Sequence, residues 1–436
     1  MSISISKNFY DISVIPKNWK EKKLKYILSI SENKSSNSYN ENILSLTRKG
    51  IIVNDISSNK GQMAESYEKY IKVKKGQICM NPMDLLSGWV DICAVEGLIS
   101  PAYYTFELNE EVENKFINYF LQSNYLRKTF FTLCKGVASH DNFGRWVLTP
   151  EELKNISIFI PNIDEQKNIS RHLDKKIDQI NSLIENIQKK IKLLEEKKTS
   201  VINEVVTKGL NSSVKMRDSG VKWIGNMPSH WKESQFKFYI KLRHGYQFRD
   251  RDFTKEGIKI VKITQLDKEG FLNLSNCSTI YDKRLNDFKN ILIKENDILM
   301  CLTGGTIGKI IKVGKIDEPL LQNYRVGHFS PIDKENINND YIFYLMSSEV
   351  INEQIFYNIR ETGQPNIGME DMNRMKICIP PISEQEKIAS YLYKHTQLID
   401  KTISKEKKRI QLLNEYYQSL VSSVVCGKIR VLEEMI

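Results

Sequence analysis

Between Leu173 and Val205 apolar side chains fall at Leu173, Ile177, Ile180, Ile184, Ile187, Ile191, Leu194, Val201 and Val205, an alternation of four and three interrupted only at Lys198. That alternation keeps one stripe of a helix turned toward one partner helix, so the segment predicts a coiled-coil seam. The stripe returns 219 positions later as Leu392, Ile399, Ile403, Ile410, Leu413, Tyr417, Leu420 and Val424, with Thr396 and Glu406 as its strongly polar members. Each copy is introduced by the same words, IPNIDEQ at 160–166 and IPPISEQ at 379–385. KGLNSS at 208–213 and CGKIR at 426–430 supply the stop signals. Rods of roughly 45 residues would be about 65–70 Å long. The charged runs KKIKLLEEKK (189–198) and SKEKKRIQLLNEYY (404–417) read as solvated flanks of these rods.

The duplication extends beyond the rods. PKNWKEKKLKYI from Pro16 matches PSHWKESQFKFYI from Pro228, with Trp19 answering Trp231 and Lys20 answering Lys232. The intervening regions read as mixed α/β. Strands are expected in KYIKVKKGQICMNP and WVDICAVEG, then a helix at 114–133. The second region repeats this order with GIKIVKITQL, NDILMCLTGGTIGKIIKVG and RVGHFSP, then a helix at 339–359. The expected order is globule, rod, globule, rod, with boundaries at 1–160, 161–211, 212–378 and 379–436. If an approximate two-fold axis relates the halves, the second rod leads back along the first and the seams close antiparallel. The fold class expected is α+β: two mixed α/β globules joined by two long antiparallel coiled-coil helices, a pseudo-two-fold, circular architecture.

Composition narrows the partners. The chain has 436 residues, long enough for more than one core, and 41% of them are hydrophobic. No apolar run exceeds strand length and the start, MSISISKNFYD, lacks a secretory signal, so a cytoplasmic protein without membrane contact is expected. Seven cysteines without a CxxC pair indicate neither a disulfide framework nor a zinc site. The formal charge of +11 suits a polyanion. Because 50 lysines stand against 14 arginines, codon bias toward A and T is the competing reading of that charge, and placement has to decide. Two different globules held at a fixed separation suit a duplex with two different half-sequences and an unread gap. A coiled coil joining two unrelated interaction domains is the alternative.

Catalytic signatures fail one by one. TGGTIGK (303–309) departs from a phosphate-binding loop, because Thr303 stands where the first glycine belongs and Ile310 follows the lysine; it reads as a turn. NPMD (81–84) lacks the aromatic and second proline of an adenine methyltransferase motif, and no glycine-rich loop precedes it. No Pro-Asp dipeptide, HExxH or GxSxG occurs. The chain reads as non-catalytic. A stand-alone methyltransferase or nuclease with divergent motifs, or a coiled-coil protein scaffold, are the competing readings.

DSGVKWIGNMPSHWK (218–232), together with IPNIDEQ and IPPISEQ, resembles the specificity subunit of type I restriction-modification enzymes, in order along the whole chain. The resemblance implies two target-recognition domains reading an asymmetric bipartite duplex site, with helices that set the spacer. It further implies two methyltransferase subunits that use S-adenosylmethionine to methylate adenine, restriction subunits that use ATP and Mg, and no cofactor bound by this chain. The N-terminus departs from the pattern, carrying FYDISVI where Ser-Gly-Val-x-Trp-Ile-Gly would stand. Asn162 also replaces the proline found at Pro381.

Base reading favours Arg toward guanine and Asn or Gln toward adenine, with Lys, Ser and backbone amides on phosphates. RHGYQFRDRD (243–252) gathers Arg243, His244, Tyr246, Gln247, Arg249 and Arg251. Similarity to the family points to Thr303 and Thr306, to Asn323 and Arg325 in QNYR, and to Gln364 and Asn366 in TGQPN. In the first globule the candidates are Ser139, His140, Asn142 and Arg145, with Arg48 and Lys49 upstream. For each, an ordinary solvated loop or an internal salt bridge, such as Arg251 with Asp250 or Asp252, is the competing reading.

Overall fold

The structure is a computed structural model that describes residues 15–31, 41–47, 50–54, 67–83, 90–133, 135–137, 145–267, 271–362, 365–432 and 434. Its helices are α1 (Asn114–Gln122), α2 (Asn124–Leu133), α3 (Pro150–Lys154), α4 (Ile163–Lys208), α5 (Asn339–Met346), α6 (Glu349–Thr362), α7 (Met369–Arg374) and α8 (Ile382–Val425). The two rods are therefore continuous, with 46 residues in α4 and 44 in α8. Contacts gather the chain into two units, residues 1–188 with 407–436 and residues 189–406. Each unit owns one globule and a segment of both rods, whereas the sequence was divided by element.

The seam is where the 4-3 spacing puts it. From Asn181 to Ser200 of α4, Ile184, Ile187, Ile191, Leu194 and Lys198 are covered while every other residue is exposed. In α8, Leu392, Thr396, Ile399, Ile403 and Glu406 are buried, Ile410, Leu413 and Tyr417 are half-buried, and Leu420 and Val424 are buried. The polar seam members have partners within the second unit. Lys198 spans the gap in the α4 stripe and holds Asp400 at 2.7 Å, and Lys190 holds Glu406 at 2.5 Å. Partner numbers that fall along α8 as they rise along α4 define an antiparallel pair. In the first unit, Ile177, Ile180 and Ile184 share a core with Leu413, Tyr417, Leu420 and Val424.

The globules repeat one topology. In the first unit, Leu28–Ser31, Tyr104–Leu108, Ile78–Met80 and Val90–Ile92 form an antiparallel sheet in that spatial order. Ile240–His244, Val326–Pro331, Ile298–Cys301 and Ile310–Lys312 do the same in the second. A second layer in the second unit runs Ser278–Ile280, Ile258–Val261, Leu320–Gln322, Leu292–Ile293, its central pair parallel. The first unit has the corresponding pairs Gly50–Val53 with Leu44–Thr47 and Ile71–Val73 with Gly97–Ile99, linked by a parallel bridge from Ile43 to Leu98.

Both helices expected before the rods are broken. Ser123 is fully buried in an extended conformation (φ −65°, ψ 149°) and separates α1 from α2, and the hydroxyl of Ser123 accepts from the Leu126 amide at 3.4 Å. Ser347 and Ser348 separate α5 from α6, where the Ser348 hydroxyl donates to the Leu345 carbonyl at 2.6 Å. Serine offers the backbone a local partner that competes with helical continuation, so one apolar period spans two helices.

Candidate nucleic-acid interface

A duplicated joint connects each globule to a rod. Strand Lys20–Lys23 pairs antiparallel with Ser157–Ile160, and Lys232–Gln235 pairs with Lys376–Ile379. Each pair delivers a tryptophan to the helix that follows. The Trp19 indole Nε1 donates to Glu165 Oε1 at 2.9 Å, and the Trp231 Nε1 donates to Glu384 Oε2 at 3.0 Å. The other carboxylate oxygen meets Asn18 Nδ2 at 3.0 Å in one joint and His230 Nε2 at 2.7 Å in the other. The neighbouring glutamines are buried. Gln166 Nε2 donates to the Pro161 and Glu111 carbonyls and its Oε1 accepts from the Glu113 amide. Gln385 repeats this with Pro380, Asn336 and the Asn338 amide. Each Glu-Gln step thus ties a rod start to a tryptophan and to the loop that opens the preceding helix. Gly209 and Gly427 (φ +75° and +74°) turn the rod ends against the same tryptophans, where a Cβ would stand 3.0 Å from Trp231 and 2.5 Å from Pro16.

In the second unit the candidate segments converge. The Tyr246 amide donates to the Gln322 carbonyl, and the Tyr324 amide donates back to Tyr246. The Leu302 amide donates to the Arg325 carbonyl, Gly304 to Pro365, and Ile367 to Leu302. Four stretches up to 121 positions apart therefore share one rim at the end of strand Ile240–His244, with Thr303 bridging Asn366. Gly245 is required for the closure, since a Cβ there would lie 2.0 Å from the Gln322 carbonyl oxygen. Gly304 and Gly308 adopt φ +77° and +82°, so TGGTIGK is a turn. The NPMD turn in the first unit begins alike, with the Leu148 amide donating to Pro82 and the Asn81 side chain accepting from the Met83 amide.

The side chains on this rim divide. Arg243 is half-buried: its Nε meets Gln322 Oε1 at 3.1 Å, and its Nη1 and Nη2 meet the Asn290 and Leu292 carbonyls at 2.8 and 3.3 Å. Burial lowers its pKa, with nearby Asp297 opposing. His244 Nδ1 lies 3.3 Å from the Tyr324 carbonyl, and buried Asn323 accepts from the Arg325 amide. Tyr246, Gln247, Arg249, Arg251, Thr306, Arg325 and Asn366 are exposed, and Thr303 is half-buried. Asp252 pairs with Arg284 at 3.0 Å, so among the described residues Arg249, Arg251 and Arg325 make no ion pair. The Arg325 Nε donates to the Tyr324 hydroxyl at 2.6 Å, a brace no motif announced, and the bond leaves the two terminal nitrogens of this exposed side chain uncommitted among the described residues. Gln364, Arg48, Lys49, Ser139, His140 and Asn142 lie outside the described residues, and Arg145 is described only as backbone, in a strand paired with Lys135–Val137.

Residues 228–414 match the family described as the type I restriction modification DNA specificity domain. The chain is 27% identical over 377 residues to the MjaVIII type I restriction enzyme specificity subunit of Methanocaldococcus jannaschii, covering 83% of each. A putative MjaX specificity subunit of the same organism is 21% identical, with 97% of this chain and 96% of that one covered. The fold is similar to a solved chain from work on complex assembly and conformational transition of the type I R-M system, with TM-score 0.68, 12% identity, and 95% of this chain and 99% of that chain covered. The second globule and most of the second rod thus match that family, and most of the chain is similar to type I restriction enzyme specificity subunits. The family match begins at Pro228, three residues before Trp231, and so takes in Trp231, the start of α8 and the rim. The equivalent frame in the first unit lies outside that match, yet carries the same Trp-Glu and Gln-backbone geometry.

Proposed function

We propose that this specificity subunit reads an asymmetric bipartite duplex, one half-sequence per globule, with the rods setting the unread spacer. The observation that supports it is the contrast between frame and rim: both globules repeat sheet order and joint, while the rim segments differ in sequence. On the second globule the contacting set is Tyr246, Gln247, Arg249, Arg251, Thr303, Thr306, Arg325 and Asn366. Arg243, His244 and Asn323 hold that rim together. Phosphate contacts by the arginines give salt-dependent affinity, and their forked donors suit guanine edges.

The chain is the DNA-recognising, non-catalytic member of its system and works with other restriction-modification subunits. In our reading these are two methyltransferase subunits, which bring S-adenosylmethionine and methylate adenine, and restriction subunits, which bring ATP and Mg, all in the cytoplasm. Among the described residues no helix is long and apolar enough to cross a membrane.

Mapping methylated adenines in cells that carry the system tests the reading: a two-part motif with a constant gap is expected. Inserting one heptad into both rods, within 174–194 and 393–413, lengthens the gap and leaves both half-sequences unchanged. A changed half-sequence, or a motif without a gap, refutes the division of labour.

A further inference from the structure

Immediately after each joint strand lies a short helical turn, Leu24–Tyr26 in the first unit and Phe236–Phe238 in the second. The two turns are built alike. Leu24 and Phe236 are fully buried anchors, and the amides of Ile27 and Tyr239 close the turns onto their carbonyls. The aromatic at the third position points away from the core, with Tyr26 63% and Phe238 62% exposed. Before each ring stands a lysine whose ammonium lies over it, Lys25 at 4.9 Å and Lys237 at 5.0 Å. A concavity adjoins each ring, of about 420 Å³ beside Tyr26, Lys22 and Ser157, and about 320 Å³ beside Phe238, Ser234 and Asn336.

We propose that these two turns are equivalent docking points for two identical copies of a protein subunit, each copy offering an apolar socket with a carboxylate at its edge. Four observations carry this. Large exposed aromatics on a rigid turn are the anchors that protein interfaces use, because they bury much area and lose little conformational freedom on binding. The lysine over each ring adds a cation whose complement is acidic; Lys22, Lys23 and Lys25 outnumber Glu21 beside Tyr26, while Asp333 lines the concavity beside Phe238 together with neutral residues. The feature occurs twice in globules whose rims differ, so its occupant does not read sequence and is the same at both places. Finally, in the second unit the strand Ile240–His244 starts beside the turn and ends at the rim, about 13 Å of strand away at 3.3 Å per residue. The turn is therefore at the opposite end of that strand from the nucleic-acid interface, which favours a protein over DNA. Resting on the function proposed above, the occupant is the methyltransferase subunit.

The experiment uses the full chain co-expressed with the methyltransferase subunit of its own system, with copies per complex counted by native mass spectrometry and duplex affinity measured in parallel. The wild-type chain carries two copies. Tyr26→Ala or Phe238→Ala carries one, and the double variant carries none at concentrations tenfold above those that saturate the wild type. Lys25→Glu and Lys237→Glu give the same pattern from the charge side, and unchanged circular dichroism melts show that the variants fold. A double variant that holds two copies with affinity within twofold of wild type overturns the proposal. So does one that keeps both copies and loses duplex affinity, which would make the turns DNA contacts. A wild-type chain that recruits no methyltransferase overturns the functional reading as well, before any variant is compared.

Discussion

Replacing Gln385 with leucine isolates the duplicated joint. The side chain is fully buried and makes three hydrogen bonds to backbone, to Pro380 O at 2.8 Å, Asn336 O at 3.1 Å and from Asn338 N at 2.8 Å. Leucine keeps the volume and removes all three. Asn336 is exposed, so its carbonyl turns to water, but Pro380 O and Asn338 N are left without partners. A buried group that loses its partner costs about 1–3 kcal/mol, so two cost roughly 2–6 kcal/mol, partly offset by the added apolar burial. Chemical denaturation of the second unit reads this loss, and amide exchange at Asn338 reads its local origin. Gln166→Leu does the same in the first unit, with the Glu113 amide as its reporter. Gln385→Glu separates hydrogen bonding from shape. It keeps an acceptor for Asn338 but sets a carboxylate oxygen against two carbonyls, which raises its folded pKa above the unfolded value. Its stability deficit is then largest at neutral pH and shrinks as the pH falls through the raised pKa. A Gln385→Leu variant within about 0.5 kcal/mol of wild type, with Asn338 exchange unchanged, refutes the argument that the glutamine organises the joint.

The arginines on the rim separate by role. Arg325→Ala and Arg249→Ala each lower duplex affinity and reduce the slope of log affinity against log salt by about 1, while Arg243→Ala lowers the melting temperature of the second unit, as fluorescence or calorimetry will show. Asp297 sits against His328 at 3.2 Å. Although burial raises its pKa, the bond from His328 and the Lys294 amide outweigh that and hold the carboxyl below its ordinary range. A depressed acid contributes stability above its unfolded pKa and loses it as pH falls through the folded value, so Asp297→Asn destabilises at pH 7 and matches wild type in acid. At the seam, Lys190→Ala removes one partner of the buried Glu406 carboxylate and costs about 1–3 kcal/mol in urea melts, whereas Glu406→Leu is neutral or stabilising.

The rods were legible because a seam needs only periodicity, and periodicity survives a polar member when a partner answers it. Lys198 interrupts the stripe in sequence and completes it in space through Asp400. The breaks at Ser123 and Ser347–Ser348 were not legible, since the apolar period runs across them and what stops the helix is a single hydroxyl finding a nearby backbone partner. The candidate residues at 243–252, 303–306, 322–325 and 365–366 were found as separate stretches, and their convergence depends on strand order that no local pattern encodes. Sequence likewise could not tell Arg243 from Arg249. The two have the same chemistry, and only the carbonyls of Asn290 and Leu292 make one of them a brace.

The substitution of Asn162 for Pro381 shows how the joint tolerates change. A helix start leaves amides without intrahelical partners. At the second joint the Pro381 carbonyl accepts from the Glu384 and Gln385 amides at 2.9 and 3.0 Å, and the proline ring presets the turn. At the first, the Asn162 side chain accepts from the Glu165 amide at 2.9 Å and its carbonyl accepts from Gln166 at 3.0 Å, so a side-chain cap supplies what the proline's backbone supplies. Both routes leave the glutamate facing a tryptophan and the glutamine facing three backbone groups. What the duplication has kept is therefore the set of partners around the Glu-Gln step rather than the residue before it. The acidic side chains at the rod starts gain from the helix dipole, but the indole nitrogens of Trp19 and Trp231 decide where those carboxylates point.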